Sequence, residues 1–91
     1  MYFVYVLFDR QEDKFYIGYT ADIERRMGEH FAGKNHTTTR YSSKQLIFWE
    51  CFIVEQDARR REGYFKTTKG RKALRLMLRE TLKPTSNCPV V

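Results

Sequence analysis

Ninety-one residues with seventeen Lys and Arg against eleven Asp and Glu carry a formal charge of +6. A chain of this length is one domain that buries only about 60 to 65% of its unfolded surface, which excludes a multidomain machine and demands a compact core. Seven Phe, six Tyr and one Trp supply the large side chains such a core needs, and the basic surplus points to nucleic acid or another polyanion as partner.

The first predicted element is the apolar run Tyr2 to Phe8. It is β-prone throughout, as expected of a central strand covered on both faces, with Phe3, Tyr5 and Leu7 on one side and Tyr2, Val4, Val6 and Phe8 on the other. Without a basic leader, and stopped by Asp9 and Arg10, it does not read as a signal peptide, and no stretch has the length of a membrane span. A cytoplasmic location is expected. Asp9 to Lys14 is a short polar hairpin turn into a second strand, Phe15 to Tyr19. There Tyr16 and Gly18 share a face, and the glycine marks a bulge or strand end, or leaves room for another backbone or a ligand to come close.

A helix follows almost at once, opened by Thr20 or Ala21, with Thr20 as its predicted cap. Advancing about 100° per residue from Ile23 puts Met27 and Phe31 on the buried stripe, Arg26 and His30 at its borders, and Arg25 and Glu29 in water. A guanidinium beside a core must find an anion or acceptors. An ion pair with Glu24 or Asp22 is the structural reading, and a bound phosphate the functional one. The polar stretch from Ala32 to Lys44 contains Lys34, Arg40 and Lys44 but no acid, a composition suited to phosphate contacts.

Gln45 to Val54 is the third strand, apolar nearly throughout, with Cys51 read as a small buried hydrophobe. Asp57 to Lys66 forms a second helix on whose inward stripe Glu62 is the one carboxylate, alongside Ala58 and Phe65. Such an acid needs Arg26, a lysine or a metal beside it. Thr67 to Gly70 is expected to break the chain before a third helix, Arg71 to Leu82, with Leu74, Met77, Leu78 and Leu82 inward. Lys69, Arg71 and Lys72 crowd the positive end of that helix, where cations are unfavourable unless an anion is bound. Residues 1–82 are thus one domain and 83–91 a tail holding Cys88; neither cysteine has metal-ligand or disulfide-framework spacing.

The order is β-β-α-β-α-α, with no zinc spacing, phosphate-binding glycine loop or nucleophile triad. Tyr5, Tyr16, Arg26, His30 and Glu62 remain as the chemistry-bearing set. On these residues the chain resembles the GIY-YIG nuclease superfamily, and within it small stand-alone bacterial proteins similar to the N-terminal domain of the excision-repair incision subunit. Tyr16-Ile17-Gly18 matches the second half of the name motif, Phe3-Val4-Tyr5 stands in the first half, and ten residues separate Tyr5 from Tyr16. Arg26, His30 and Glu62 match the helical arginine, the histidine and the metal-binding glutamate. Tyr19 departs from the pattern, standing where excision-repair relatives carry a lysine, and Asn87 lies too far from Glu62 to match the late asparagine.

The resemblance implies an α+β fold with a three-stranded antiparallel sheet, its first strand central. It also implies a metal-dependent endonuclease hydrolysing phosphodiester bonds in DNA, structured or damaged DNA included, and a place in DNA repair. Glu62 would hold a single Mg2+ or Mn2+, Arg26 would clamp phosphate, and Tyr16 or His30 would act as base with Tyr5 assisting. No obligate protein partner and no membrane association are expected. The alternatives are a nucleic-acid-binding module that does not cut, and a protein-interaction domain whose inner polar residues merely pair with one another.

Overall fold

The computed structural model describes residues 1–31 and 44–83; expectations for Lys34, Arg40, Asn87, Cys88 and most of the tail lie outside them. Six elements follow in order: β1 (Tyr2–Asp9), β2 (Lys14–Thr20), α1 (Ile23–Phe31), β3 (Lys44–Phe52), α2 (Glu55–Phe65) and α3 (Thr68–Met77). The fold is α+β, with β1 at the centre of a three-stranded sheet of order β2-β1-β3, antiparallel to both neighbours. That position explains the unbroken apolar character of β1, whose residues Val4 to Asp9 are all buried.

Residues opposite each other on paired strands point the same way, so the pairing divides the sheet into two faces. Val4, Val6 and Phe8 face the helices α2 and α3, forming the core with Phe15, Ala58, Phe65 and Leu74. Phe3, Tyr5 and Leu7 point to the other face with their partners Gly18 and Tyr16 on β2. On β3 the register shifts between Val6 and Leu7. Leu46 pairs with Leu7 and Phe48 with Val6, leaving Ile47 as the extra residue of a bulge. Because of that bulge, Lys44 and Trp49 lie on the same face despite being an odd number of residues apart.

Local chemistry sets the boundaries. In the β1–β2 turn the Asp9 carboxylate accepts from the backbone N–H groups of Gln11 and Glu12, and Asp13 takes a positive φ of 54°, a conformation aspartate tolerates. The cap of α1 is Asp22, whose Oδ1 accepts from Arg25 N at 3.1 Å. Thr20, expected as the cap, instead accepts from Asp22 N one step upstream.

Thr67 to Gly70, expected to be a break, is the start of α3. The Thr67 hydroxyl accepts from Gly70 N at 3.0 Å, and a side chain at Gly70 would run into the Tyr64 carbonyl where α2 ends. The third helix therefore begins earlier than predicted and stops at Met77. Leu78 and Leu82 still pack on the core beyond its end, whereas Met77 is exposed. Cys51 is also exposed, because it pairs with Phe3 on the face away from α2 and α3.

Candidate functional site

The face opposite the core gathers four of the five chemistry-bearing residues, Tyr5, Tyr16, Arg26 and His30. Tyr5 rises from the central strand, and its ring lies across Gly18 on β2, where any side chain would collide with the phenol. That is the space the glycine provides. The Tyr5 hydroxyl then meets α1: Arg26 Nε donates to it at 3.2 Å, and it lies 3.1 Å from His30 Nε2. Tyr5 and His30 are both buried, so helical periodicity was a sound guide to which side of α1 turns inward.

Burial, then the Arg26 charge, push the His30 imidazole below its ordinary value of 6.5, so it is neutral at neutral pH. The Tyr5 oxygen accepts from Arg26, and its contact with the ring is filled by the phenol proton or by an Nε2–H according to the imidazole tautomer. The hydrogen bond to Tyr5 pushes Arg26 further above the usual guanidinium value. Arg26 also reaches Glu29 Oε1 at 3.1 Å, and Arg25 reaches Glu29 Oε2 at 2.7 Å. Glu29, expected in water, is thus half-buried between two arginines, which hold its carboxyl below the usual range. It, rather than Glu24 or Asp22, is the acid that meets Arg26.

Tyr16 shares this face and has Lys44 Nζ 4.5 Å from its ring centroid. Lys44 is not the exposed loop cation expected: it opens β3 opposite Asp9, and its side chain is 1% exposed, 3.6 Å from the Asp9 carboxylate. An amine enclosed in this way is unavailable to a nucleic-acid backbone. Lys69, Arg71 and Lys72 are exposed at the start of α3. Sequence periodicity missed the Asp9–Lys44 pair because the two sit at strand ends, where alternation says little about enclosure.

Glu62 makes no bond to this group among the described residues. Its helix, α2, sends Ala58 and Phe65 into the core on the other face. The Glu62 carboxylate accepts from Lys66 Nζ at 3.0 Å and is 22% exposed. The lysine option foreseen for this acid is realised by the next turn of its own helix, and no bond joins Glu62 to Arg26 among the described residues. Tyr19 lies on the α2 side, donating to Glu55 Oε2 at 2.7 Å and stacking on Tyr2. The bond to the Glu55 carboxylate pushes its phenol pKa up.

Among the described residues no three His, Cys, Asp or Glu side chains cluster as a metal cage. Magnesium-like ions are commonly held through one or two carboxylates and water. The partly open Glu62 carboxylate fits that chemistry as a single ligand, with Lys66 as the group to be displaced.

Residues 1–75 match the family model described as the GIY-YIG catalytic domain. The chain belongs to the GIY-YIG nuclease family. Its relatives include UPF0213 protein HQ_3675A of Haloquadratum walsbyi, 37% identical over 67 residues, covering 72% of this chain and 74% of that protein. UPF0213 protein SpyM50708 of Streptococcus pyogenes serotype M5 is 36% identical over 70 residues, covering 76% and 75% respectively. The solution NMR structure of UPF0213 protein BH0048 from Bacillus halodurans is similar in fold, with a TM-score of 0.53 and 30% identity over 97% of this chain and 92% of that one.

Proposed function

We propose that this protein is a metal-dependent endonuclease that hydrolyses phosphodiester bonds in DNA, structured or damaged DNA included, with Tyr5, Tyr16, Arg26, His30 and Glu62 as its working residues. The observation that carries the reading is the Tyr5 hydroxyl held between Arg26 and a neutral His30, on the sheet face that also bears Tyr16. Hydrolysis of a phosphodiester needs a water stripped of a proton, stabilisation of charge growing on the phosphoryl oxygens, and a path for protons.

Arg26 serves the second need. Its carboxylate partner Glu29 is shared with Arg25, so an incoming phosphate can take the place of Glu29 at Arg26 while Arg25 keeps the acid paired. Tyr5 and His30 serve the third: as Tyr5 takes a proton from the attacking water it gives its own to the neutral imidazole, so the phenol stays neutral and the positive charge ends on His30 while the water becomes hydroxide. Tyr16 and His30 remain the two candidates for the base that activates water. A Mg2+ or Mn2+ ion at Glu62, when bound, would supply Lewis-acid stabilisation of the phosphoryl group and leaving oxygen. The exposed Lys69, Arg71 and Lys72 would hold the flanking backbone.

A second reading is favoured by a specific observation: Glu62 is paired with Lys66 and makes no bond to Tyr5, Arg26 or His30 among the described residues. A nucleic-acid-binding module using the same basic surface, without cutting, would have no need to free that acid.

The deciding experiment incubates purified protein with single-stranded, duplex, flap and branched DNA, and with RNA, with and without Mg2+ or Mn2+. Cleavage that requires the ion and disappears in Glu62→Ala, with binding retained, is the expected result. Salt-sensitive binding without turnover on any substrate would establish the module instead, and wild-type nicking by Glu62→Ala would remove Glu62 from the metal site.

A further inference from the structure

The nuclease reading leaves one cleft of the molecule unassigned. Where the β1–β2 turn meets α3, Asp13, Lys14, Phe15, Arg71 and Arg75 line a cavity of about 180 Å3. It opens beside β2, an edge strand of the sheet. Small-molecule sites run to about 300–1,000 Å3, so a space of this size takes one group of a larger ligand rather than a whole small molecule.

Three cations and one acid line the cleft, and the acid is already engaged. Arg75 donates through Nη1 to Asp13 Oδ1 at 3.1 Å and through Nη2 to the Asp13 carbonyl at 3.3 Å. Its guanidinium also lies over the Phe15 ring, 5.0 Å from the centroid. Arg75 is thus held in place with N–H donors still unused. Arg71 stands one helical turn earlier on the same side of α3, and like charges at that spacing repel. Neither Arg71 nor Lys14 has a hydrogen bond or ion pair among the described residues. A clamp fastening the turn to α3 needs only Asp13 and Arg75; the other two cations are surplus to it.

We propose, building on the nucleic-acid reading above, that this cleft seats one backbone phosphate of the substrate strand, with Arg71 and Arg75 as its donors and Lys14 at its rim. A phosphate relieves the repulsion between the two arginines, and planar guanidinium groups suit its oxygens. Charge rules out an apolar occupant. About 13 Å along β2 separates Lys14 from Gly18, over which Tyr5 meets Arg26. One strand can therefore reach both places, about four backbone steps apart at roughly 3.4 Å each.

The test is anisotropy of a labelled oligothymidylate, in EDTA so that no turnover intervenes, over a range of salt concentrations. Wild type is compared with Arg71→Ala, with Asp13→Asn and with Arg60→Ala, an exposed α2 arginine paired with Asp57 away from the cleft. Arg71→Ala should bind about threefold to tenfold more weakly and lose about one unit of salt slope. Asn at position 13 keeps an acceptor for Arg75 and tolerates the positive φ while removing the competing charge, so Asp13→Asn should bind about twofold to threefold more tightly. Arg60→Ala should keep the wild-type slope, and far-UV circular dichroism should be the same for all.

A wild-type salt slope in Arg71→Ala, or no tightening in Asp13→Asn, overturns the phosphate seat while leaving the nuclease reading intact. Equal losses in Arg71→Ala and Arg60→Ala reduce the effect to overall charge and also overturn it. Oligoglutamate binding that disappears in Arg71→Ala, with strand binding unchanged, makes the cleft a carboxylate site and overturns the proposal too. Failure of every nucleic acid to bind overturns both readings.

Discussion

The two faces of the sheet are built from the same three strands to opposite ends. On one, Val4, Val6, Phe8, Phe15, Ala58, Phe65 and Leu74 form a closed apolar cluster against α2 and α3, held by burial and insensitive to direction. On the other, Tyr5 is fixed by two polar contacts at 3.1 and 3.2 Å, with a glycine cleared beneath it and a tryptophan left open beside it. One face spends its residues on stability, the other on geometry. Substitutions on the first should therefore unfold the protein, and those on the second should leave it folded and change what it does.

The sharpest division comes from Phe65, fully buried between α2 and the sheet and in edge contact with Phe48. Phe65→Ala should cost about 3–5 kcal/mol of unfolding free energy, a large share of the roughly 5–15 kcal/mol of a small domain. Urea unfolding measures it, and a loss near zero would mean the core is elsewhere. Arg26→Ala tests the other face at similar scale in a different quantity. Removing a preorganised donor should slow cleavage by about 10²–10³-fold while the urea midpoint stays close to wild type.

Gly18→Ala is predicted to fall between the two. The added methyl would occupy the place of the Tyr5 phenol, displacing it from Arg26 and His30 at a cost of roughly 1–3 kcal/mol, typical of overpacking. Activity should suffer more than stability, and Tyr5→Phe in the same background should recover none of it. If Gly18→Ala behaves as wild type in both assays, the close approach is not a working constraint.

The smallest expected effect is on pH. His30 takes up its proton at a lower pH in the folded protein than its ordinary 6.5, first because it is buried and then because Arg26 is near. The fold therefore favours neutral imidazole. The stability this provides is fully present above the unfolded value and is lost as pH falls below it towards the folded one. Melting temperature should decline as pH falls below about 6.5, and His30→Gln should flatten the decline. An equal slope in the variant would assign it to other groups.

A good deal of this division was legible before folding. The uninterrupted apolar run of Tyr2 to Phe8 announced a central strand, and the four-residue recurrence of Ile23 and Met27 put Arg26 and His30 beside the interior, since side-chain direction follows backbone period. The Tyr16-Ile17-Gly18 motif, with Tyr5 ten residues earlier, pointed to the family that the match over residues 1–75 shows. Periodicity said less about partners. That Glu29 rather than Glu24 or Asp22 would meet Arg26 depends on side-chain reach within a helix turn. That Lys66 would take Glu62 depended on the reach of a long, flexible stem, which helical periodicity does not register.

Composition and spacing, being properties of neighbours along the chain, determined the element types, the order of the sheet's central strand and the inward side of each helix. What lies beside what across the sheet was decided only on folding. A single extra residue at Ile47 shifts the β3 register and so brings Lys44 and Trp49 to the Tyr5 face, one enclosed and the other open. A strand's two-residue alternation cannot announce a bulge, because the bulge exists only in relation to the strand it pairs with.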